Sequence, residues 1–111
     1  MTSKVYAFDI DGVICNTDNG DYDNSVPNKE VIKKINSLHD EGNKIIIFTA
    51  RFMGRTNNDI KKAYEIGYEF TLEQLKTWNL KFDKLYMGKP SFDLLIDDKA
   101  INYDKNWVNQ I

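Results

Sequence analysis

A chain of 111 residues, 41% hydrophobic and 29% charged, is long enough for one domain with a real core and leaves little room for further modules. A formal net charge of −2 provides no electrostatic footprint for nucleic acid or an anionic membrane surface, and the longest strongly apolar stretch, Ile45–Phe48, is far too short to span a bilayer. The start lacks the basic and apolar regions of a signal peptide, and the lone Cys15 has no internal disulfide partner, so a cytoplasmic protein is expected.

Lys4–Phe8 reads as a first strand, and Asp9 and Asp11 beyond it share one side if the extension continues. Asn16–Asn24 is a polar loop rich in Asn and Asp. Pro27 suits a first helical turn, and Val31, Ile35 and Leu38 recur at helical spacing until Gly42 supplies a stop. Lys44–Phe48, with an unbroken apolar run, predicts a strand buried on both faces. Thr56-Asn57-Asn58-Asp59 has the spacing of a capping box, with Asp for Glu, opening a helix that closes near Gly67. Thr71-Leu72-Glu73-Gln74 repeats the signature for a further helix with Leu72, Leu75 and Trp78 on its apolar face. Strands are expected around Lys84–Met87 and Asp93–Ile96, then a helical turn and an edge strand through Trp107-Val108. Strands alternating with helices predict a single α/β domain over residues 1–111, its parallel sheet covered by helices on both faces.

Four short stretches stand at or just past the ends of these strands: Asp9-Ile10-Asp11-Gly12-Val13, Thr49, Lys89 in Gly88-Lys89-Pro90, and Asp97-Asp98 after Leu94-Leu95-Ile96. Ligands of open α/β sheets bind outside the carboxyl ends of the strands, so these groups are expected to converge. Paired carboxylates at a strand tip repel unless a cation or proton intervenes, and Mg²⁺ favours a few carboxylates together with water and phosphate oxygens. Asp97 would add a third carboxylate from a neighbouring strand. Asp98 should point the opposite way and support the metal ligands from behind. One aspartate can then attack phosphorus and carry an aspartyl-phosphate, while the second protonates the leaving alkoxide and later activates water. Thr49 and Lys89 would bind phosphoryl oxygens.

This pattern resembles the haloacid dehalogenase (HAD) superfamily of phosphohydrolases. Asp9, Asp11 and Val13 match its first motif, Asp-x-Asp-x-Thr/Val; Thr49 matches the second, Lys89 the third and Asp97-Asp98 the fourth. The resemblance implies a Rossmann-like fold with the first strand central, Asp9 as nucleophile and Asp11 as general acid/base. It also implies Mg²⁺ held by the Asp9 side chain, the Asp11 backbone carbonyl and Asp97. The metal set is thus Asp9, Asp11 and Asp97. Only loops and helices fit between the motifs, so the cap domain usual in the family is missing. Specificity is then expected from the site's own loops, from another subunit of a homo-oligomer or from a bulky substrate.

Arg51 and Arg55, the only arginines, follow Thr49 within six residues and offer the two-point recognition of phosphate or carboxylate that lysine lacks. A structural salt bridge is the competing role. The substrate-binding set is Thr49, Ala50, Arg51, Arg55 and Lys89. His39 reads as an exposed helical residue. Cys15 is not a cysteine-phosphatase nucleophile, since position 21 is Asp where that chemistry wants Arg, and Asp18–Asp23 lacks EF-hand spacing.

The expected protein is therefore a capless Mg²⁺-dependent phosphomonoesterase. By family analogy its substrate is a small phosphorylated metabolite such as a sugar or polyol phosphate, in carbohydrate metabolism. A phosphatase acting on a macromolecule is an alternative, although the near-neutral charge argues against nucleic acid. A receiver-type signalling domain is another. Receivers place the side-by-side acidic pair on the first strand, whereas here it comes late, and that order favours hydrolysis.

Overall fold

The computed structural model describes residues 3–104 and 106–111, so the first two residues of the expected 1–111 domain and Lys105 in its tail lie outside the described residues. Three parallel strands form the main sheet: β1 (Val5–Phe8), β4 (Lys44–Phe48) and β5 (Lys84–Tyr86), in the spatial order β1-β4-β5. β2 (Cys15–Asn16) and β3 (Val26–Pro27) pair antiparallel as a short ribbon. The parallel connections run through α1 (Lys29–Asp40) and α2 (Ile60–Thr77), as parallel pairing requires. The register sets Phe8 opposite Ile47 and Phe48 opposite Tyr86, which brings the carboxyl ends of all three strands to one end of the sheet.

Alternation along the strands decides where the core lies. Tyr6, Phe8, Ile45, Ile47 and Leu85 share one face and join Val31, Ile32, Ile35 and Leu38 of α1 and Leu75 of α2 in one hydrophobic cluster. The opposite face stays open, with Val5 63%, Phe48 38% and Tyr86 43% exposed. The expectation of a sheet covered on both faces is thus corrected. The apolar run of β4 reads as doubly buried, yet Ile45 and Ile47 alone are fully enclosed while Ile46 is half-buried.

Five further features differ from expectation. Pro27 pairs with Cys15 in the β2–β3 ribbon, and the cap of α1 is Asn28, whose side chain accepts from the Val31 N–H. The cap of α2 is Asp59, accepting from Lys62 N–H, while Thr56 sits in a preceding 3-10 turn. α2 runs unbroken through Gly67 and Thr71, where two helices were expected. Gly67 is there for packing: a Cβ on it would lie 2.1 Å from the Phe52 ring. Lastly, Asp93–Ile96 forms no strand, Leu94 and Ile96 being 79% and 92% exposed, and Trp107–Asn109 forms a 3-10 turn where an edge strand was expected. Trp107 is nonetheless buried, its ring 5.4 Å from that of Phe8.

Candidate active site

Asp9 leaves β1 just before a tight turn. Ile10 is fully buried, and its carbonyl accepts from the N–H groups of Val13, Ile14 and Cys15, with Gly12 at φ +87° closing the reversal. Burying Ile10 leaves its neighbours Asp9 and Asp11 to line a cleft of about 310 Å³ at the carboxyl end of the sheet, together with Thr17, Gly20, Tyr22, Ala50, Arg51, Gly54 and Ser91. A larger groove, along α1 and Trp78, is lined by none of the expected site residues.

Thr49 and Lys89 reach the same end of the sheet by extending the β4–β5 ladder. Thr49 N–H donates to the Tyr86 carbonyl at 3.0 Å, and Lys89 N–H donates to the Thr49 carbonyl at 3.2 Å. The Thr49 side chain is fully buried, and its Oγ1 accepts from Arg51 N–H at 3.0 Å, which leaves the hydroxyl proton available. Lys89 Nζ stands 3.4 Å from Asp9 Oδ2, and Asp9 Oδ1 accepts from Ile10 N–H at 2.8 Å. Burial pushes the Asp9 carboxyl above the usual carboxylate range; Lys89 and the Ile10 N–H oppose this, and the nearby Asp11 adds to it.

Asp11 is held differently. Its Oδ1 accepts from Arg51 Nη2 at 2.9 Å and Thr17 Oγ1 at 2.6 Å, and its Oδ2 accepts from Arg51 Nε at 2.9 Å. Arg51 is 1% exposed; its Nη1 donates to Gln74 Oε1 at 2.6 Å, and its guanidinium carbon lies 4.6 Å from the centre of the Tyr22 ring. Arg51 is therefore a buried partner of Asp11. Arg55 is not part of the cleft lining: its Nη2 donates to the Gly20 carbonyl at 2.9 Å, and its guanidinium lies 5.0 Å from the Tyr22 ring centre and 4.8 Å from that of Phe52.

The expected metal set Asp9, Asp11 and Asp97 is not assembled. Asp97 sits in the segment that forms no strand, fully exposed, with its Oδ1 accepting from Lys99 N–H at 2.9 Å; that bond, followed by one from Asp98, holds its carboxyl below the usual range. Asp98 is likewise exposed. Among the described residues no three His, Cys, Asp or Glu side chains come together as a metal cluster. Cys15 is buried, and burial pushes its thiol up, away from nucleophilic use. His39 pairs with Asp83 at 3.7 Å, on α1 and away from the cleft lining.

Thr17 and Tyr22 belong to the site and lie in the polar loop Asn16–Asn24; Ser25 and Gln74 join them through hydrogen bonds without having been singled out in the sequence. Thr17 and Ser25 share a hydrogen bond of 2.6 Å across the mouth of the ribbon loop. Gln74, whose Nε2 donates to the Tyr22 carbonyl at 2.7 Å, reads in sequence only as the last residue of a capping signature. For Thr17 the available signal is its place in the polar loop following the paired aspartates, and Ser25 directly follows that loop.

No family model matches the chain, and no curated protein matches it either. Among solved structures, it is similar to the crystal structure of an MCSG target from Vibrio cholerae, with a TM-score of 0.83 and 26% identity over 96% of this chain and 94% of the other. The protein is thus a small α/β domain built on a three-stranded parallel sheet and two α-helices among the described residues, in an arrangement shared nearly end to end with that structure. No helix among the described residues is long and apolar enough to cross a membrane.

Proposed function

We propose that the chain is a capless, Mg²⁺-dependent phosphomonoesterase of the HAD type, with a single Rossmann-like domain, acting through an aspartyl-phosphate on a small phosphorylated metabolite. One observation carries this above the others. Asp9, the least encumbered carboxylate of the cleft, has Lys89 Nζ 3.4 Å from one oxygen, and the backbone of Lys89 is bonded directly to that of Thr49. A nucleophile, an ammonium and a hydroxyl with a proton to give are thereby tied to one sheet end.

In this chemistry an Asp9 oxygen forms a bond to phosphorus as the ester P–O bond breaks, and the leaving alkoxide takes a proton from Asp11. Water then attacks the phosphoryl-aspartate, gives a proton back to Asp11, and releases inorganic phosphate with Asp9 restored. Asp11 Oδ1 receives several donors but Oδ2 only Arg51 Nε, so Oδ2 is the less encumbered oxygen. Thr49 and Lys89 stabilise the charge that spreads over the phosphoryl oxygens. A cleft of about 310 Å³ stands at the small end of ligand sites, which favours a sugar- or polyol-sized phosphate over a macromolecule.

The donor set fits Mg²⁺ in part. Asp9, raised by burial and with only one long ion pair, is a carboxylate suited to a cation, and Asp11 offers its backbone carbonyl while its side chain stays with Arg51. The ion would neutralise phosphoryl charge and relieve the repulsion between the carboxylates. Asp97 completes the set only if Leu94–Ile96 adds to the free edge of β1, a step that the exposed apolar side chains of that segment favour. The deciding experiment incubates purified protein with Mg²⁺ and a panel of phosphorylated metabolites, scoring free phosphate with and without EDTA. Release from one or a few small phosphates, lost with EDTA, is expected; no release from any compound overturns the proposal.

A further inference from the structure

The two walls of the cleft come from distant parts of the chain, Arg51 from the end of β4 and Tyr22 from the loop between β2 and β3. One side chain of α2 joins them. Gln74 Oε1 accepts from Arg51 Nη1 at 2.6 Å, and Gln74 Nε2 donates to the Tyr22 carbonyl at 2.7 Å. The amide is oriented by necessity: a guanidinium only donates and a carbonyl only accepts, so the reversed amide would break both bonds. With Nη1 taken, the other edge of the guanidinium, Nε and Nη2, meets Asp11. Because Arg51 is 1% exposed, an Nη1 deprived of Gln74 has no water to turn to, and the buried group would rotate to find another acceptor.

We propose that Gln74 is a positioning residue for the site. It fixes the Arg51 guanidinium so that Asp11 is gripped at both oxygens, and with its other hand it pins the Tyr22 wall of the cleft. As far as turnover is concerned, this rests on the phosphohydrolase reading; the positioning itself does not.

The full chain is labelled with ¹⁵N-arginine, which gives only two Nε–H signals, assigned by Arg55→Lys. Exchange of the Arg51 Nε proton with solvent is measured in wild type, Gln74→Leu and Gln74→Glu. Gln74→Leu removes both bonds and should speed exchange by about tenfold or more. Gln74→Glu keeps the acceptor for Arg51 and should hold the proton close to the wild-type rate. In parallel, hydrolysis of p-nitrophenyl phosphate with Mg²⁺ should lose about 10–100-fold in kcat in Gln74→Leu. Gln74→Glu, which lacks the donor to Tyr22, should recover most of kcat while KM rises about threefold. Should Gln74→Leu fail to fold, Gln74→Asn keeps the amide but cannot span both partners, and serves in its place. Unchanged Nε–H exchange in the variant that lacks both bonds overturns the proposal, as does an unchanged kcat in an active protein. If wild type hydrolyses nothing, the phosphohydrolase reading falls, and the exchange rates still decide the role of Gln74.

Discussion

The Arg51 guanidinium meets the Asp11 carboxylate edge to edge, Nε on Oδ2 and Nη2 on Oδ1, both at 2.9 Å, across 40 residues of sequence. Arg51 is enclosed while the Asp11 side chain is 28% exposed, so one end of the pair is buried and the other lines the cleft. Removing the arginine leaves a partly buried carboxylate without its main partner. Arg51→Ala should therefore destabilise the protein toward the lower side of ~3–5 kcal/mol, the usual cost of breaking a buried pair, and should lose turnover equally on every substrate. Arg51→Lys should restore little, since an ammonium cannot supply two parallel donors. Chemical denaturation and kcat/KM on two unrelated phosphomonoesters check both; substrate-selective losses would instead make Arg51 a ligand of the leaving group.

Arg55 is placed to behave otherwise. It holds the Gly20 carbonyl at the rim of the cleft and retains further N–H donors there. Arg55→Ala should lower efficiency for the true substrate by about 1.5–3 kcal/mol, as for a hydrogen bond to a charged group, and should affect p-nitrophenyl phosphate much less. Equal losses on both substrates would reduce Arg55 to a clasp for the loop.

Asp9→Asn should abolish turnover and yet, in metal-free buffer near neutral pH, stabilise the fold. The carboxyl is raised above its ordinary value of 3.8, mainly by burial, so the native state binds its proton more tightly than the unfolded chain does. As pH climbs through the raised value the native state is forced to ionise and loses stability, and a neutral amide removes that loss. Melting temperatures of wild type and Asp9→Asn should coincide in acid below 3.8, separate as pH rises from 3.8 through the raised value, with the variant higher, and stay apart by a constant gap above it. A variant less stable at neutral pH would mean that Lys89 outweighs burial.

If the Mg²⁺ set is completed by Asp97, Leu94–Ile96 must leave solvent. Backbone amides of 94–97, exposed and without strand partners here, should exchange at least about tenfold more slowly once Mg²⁺ and a phosphate mimic such as aluminium fluoride are added. Unaltered exchange in a protein that is nonetheless Mg²⁺-dependent would assign the metal to other ligands.

An added methyl in an interior helix position ordinarily helps a helix, by up to ~1 kcal/mol over glycine. At Gly67 it should instead cost about 1–3 kcal/mol, because the new Cβ would lie 2.1 Å from the Phe52 ring and that site is already full. Phe52 has little freedom to yield: its backbone is left-handed at φ +67°, and its ring is packed against Tyr22 at 4.8 Å and Phe70 at 6.4 Å. Phe52→Gly should itself cost about 3–5 kcal/mol through the lost ring, but Gly67→Ala added to it should cost little more, the two changes being non-additive. Thermal denaturation of the two singles and the double settles it; a Gly67→Ala protein as stable as wild type would refute the packing account.

What the sequence disclosed was local. β4 was legible from its apolar run, and Asp9, Thr49 and Lys89 were legible as polar residues at strand ends, because position along a strand is set by neighbours in sequence. Gly67 was misread as a helix stop, since what places a glycine there is a ring brought in from Phe52. The Arg51–Asp11 pair and the Gln74 bridge could not be read, because each joins segments whose meeting is fixed only by the packed sheet and helices. Leu94–Ile96 reads as a buried strand by composition alone, and composition does not say which edge, if any, receives it.

Thr49 and Lys89 are joined by their backbones, each continuing a rung of the parallel ladder from Tyr86. The spacing of hydroxyl and ammonium is therefore set by the last rungs of the sheet and by the turn at Gly88, φ +94°, that carries the chain from β5 to Lys89. That makes the site unequally tolerant of length changes. Deleting one residue between Leu85 and Lys89 would break the left-handed turn at Gly88 and carry the ammonium away from Asp9. A residue inserted between Asp18 and Asp21, in the turn at the tip of the ribbon loop, would leave both groups where they are and alter only the reach of the wall. For anyone reshaping this cleft, the ribbon loop is the segment to lengthen, and the four residues after Leu85 are the ones to leave alone.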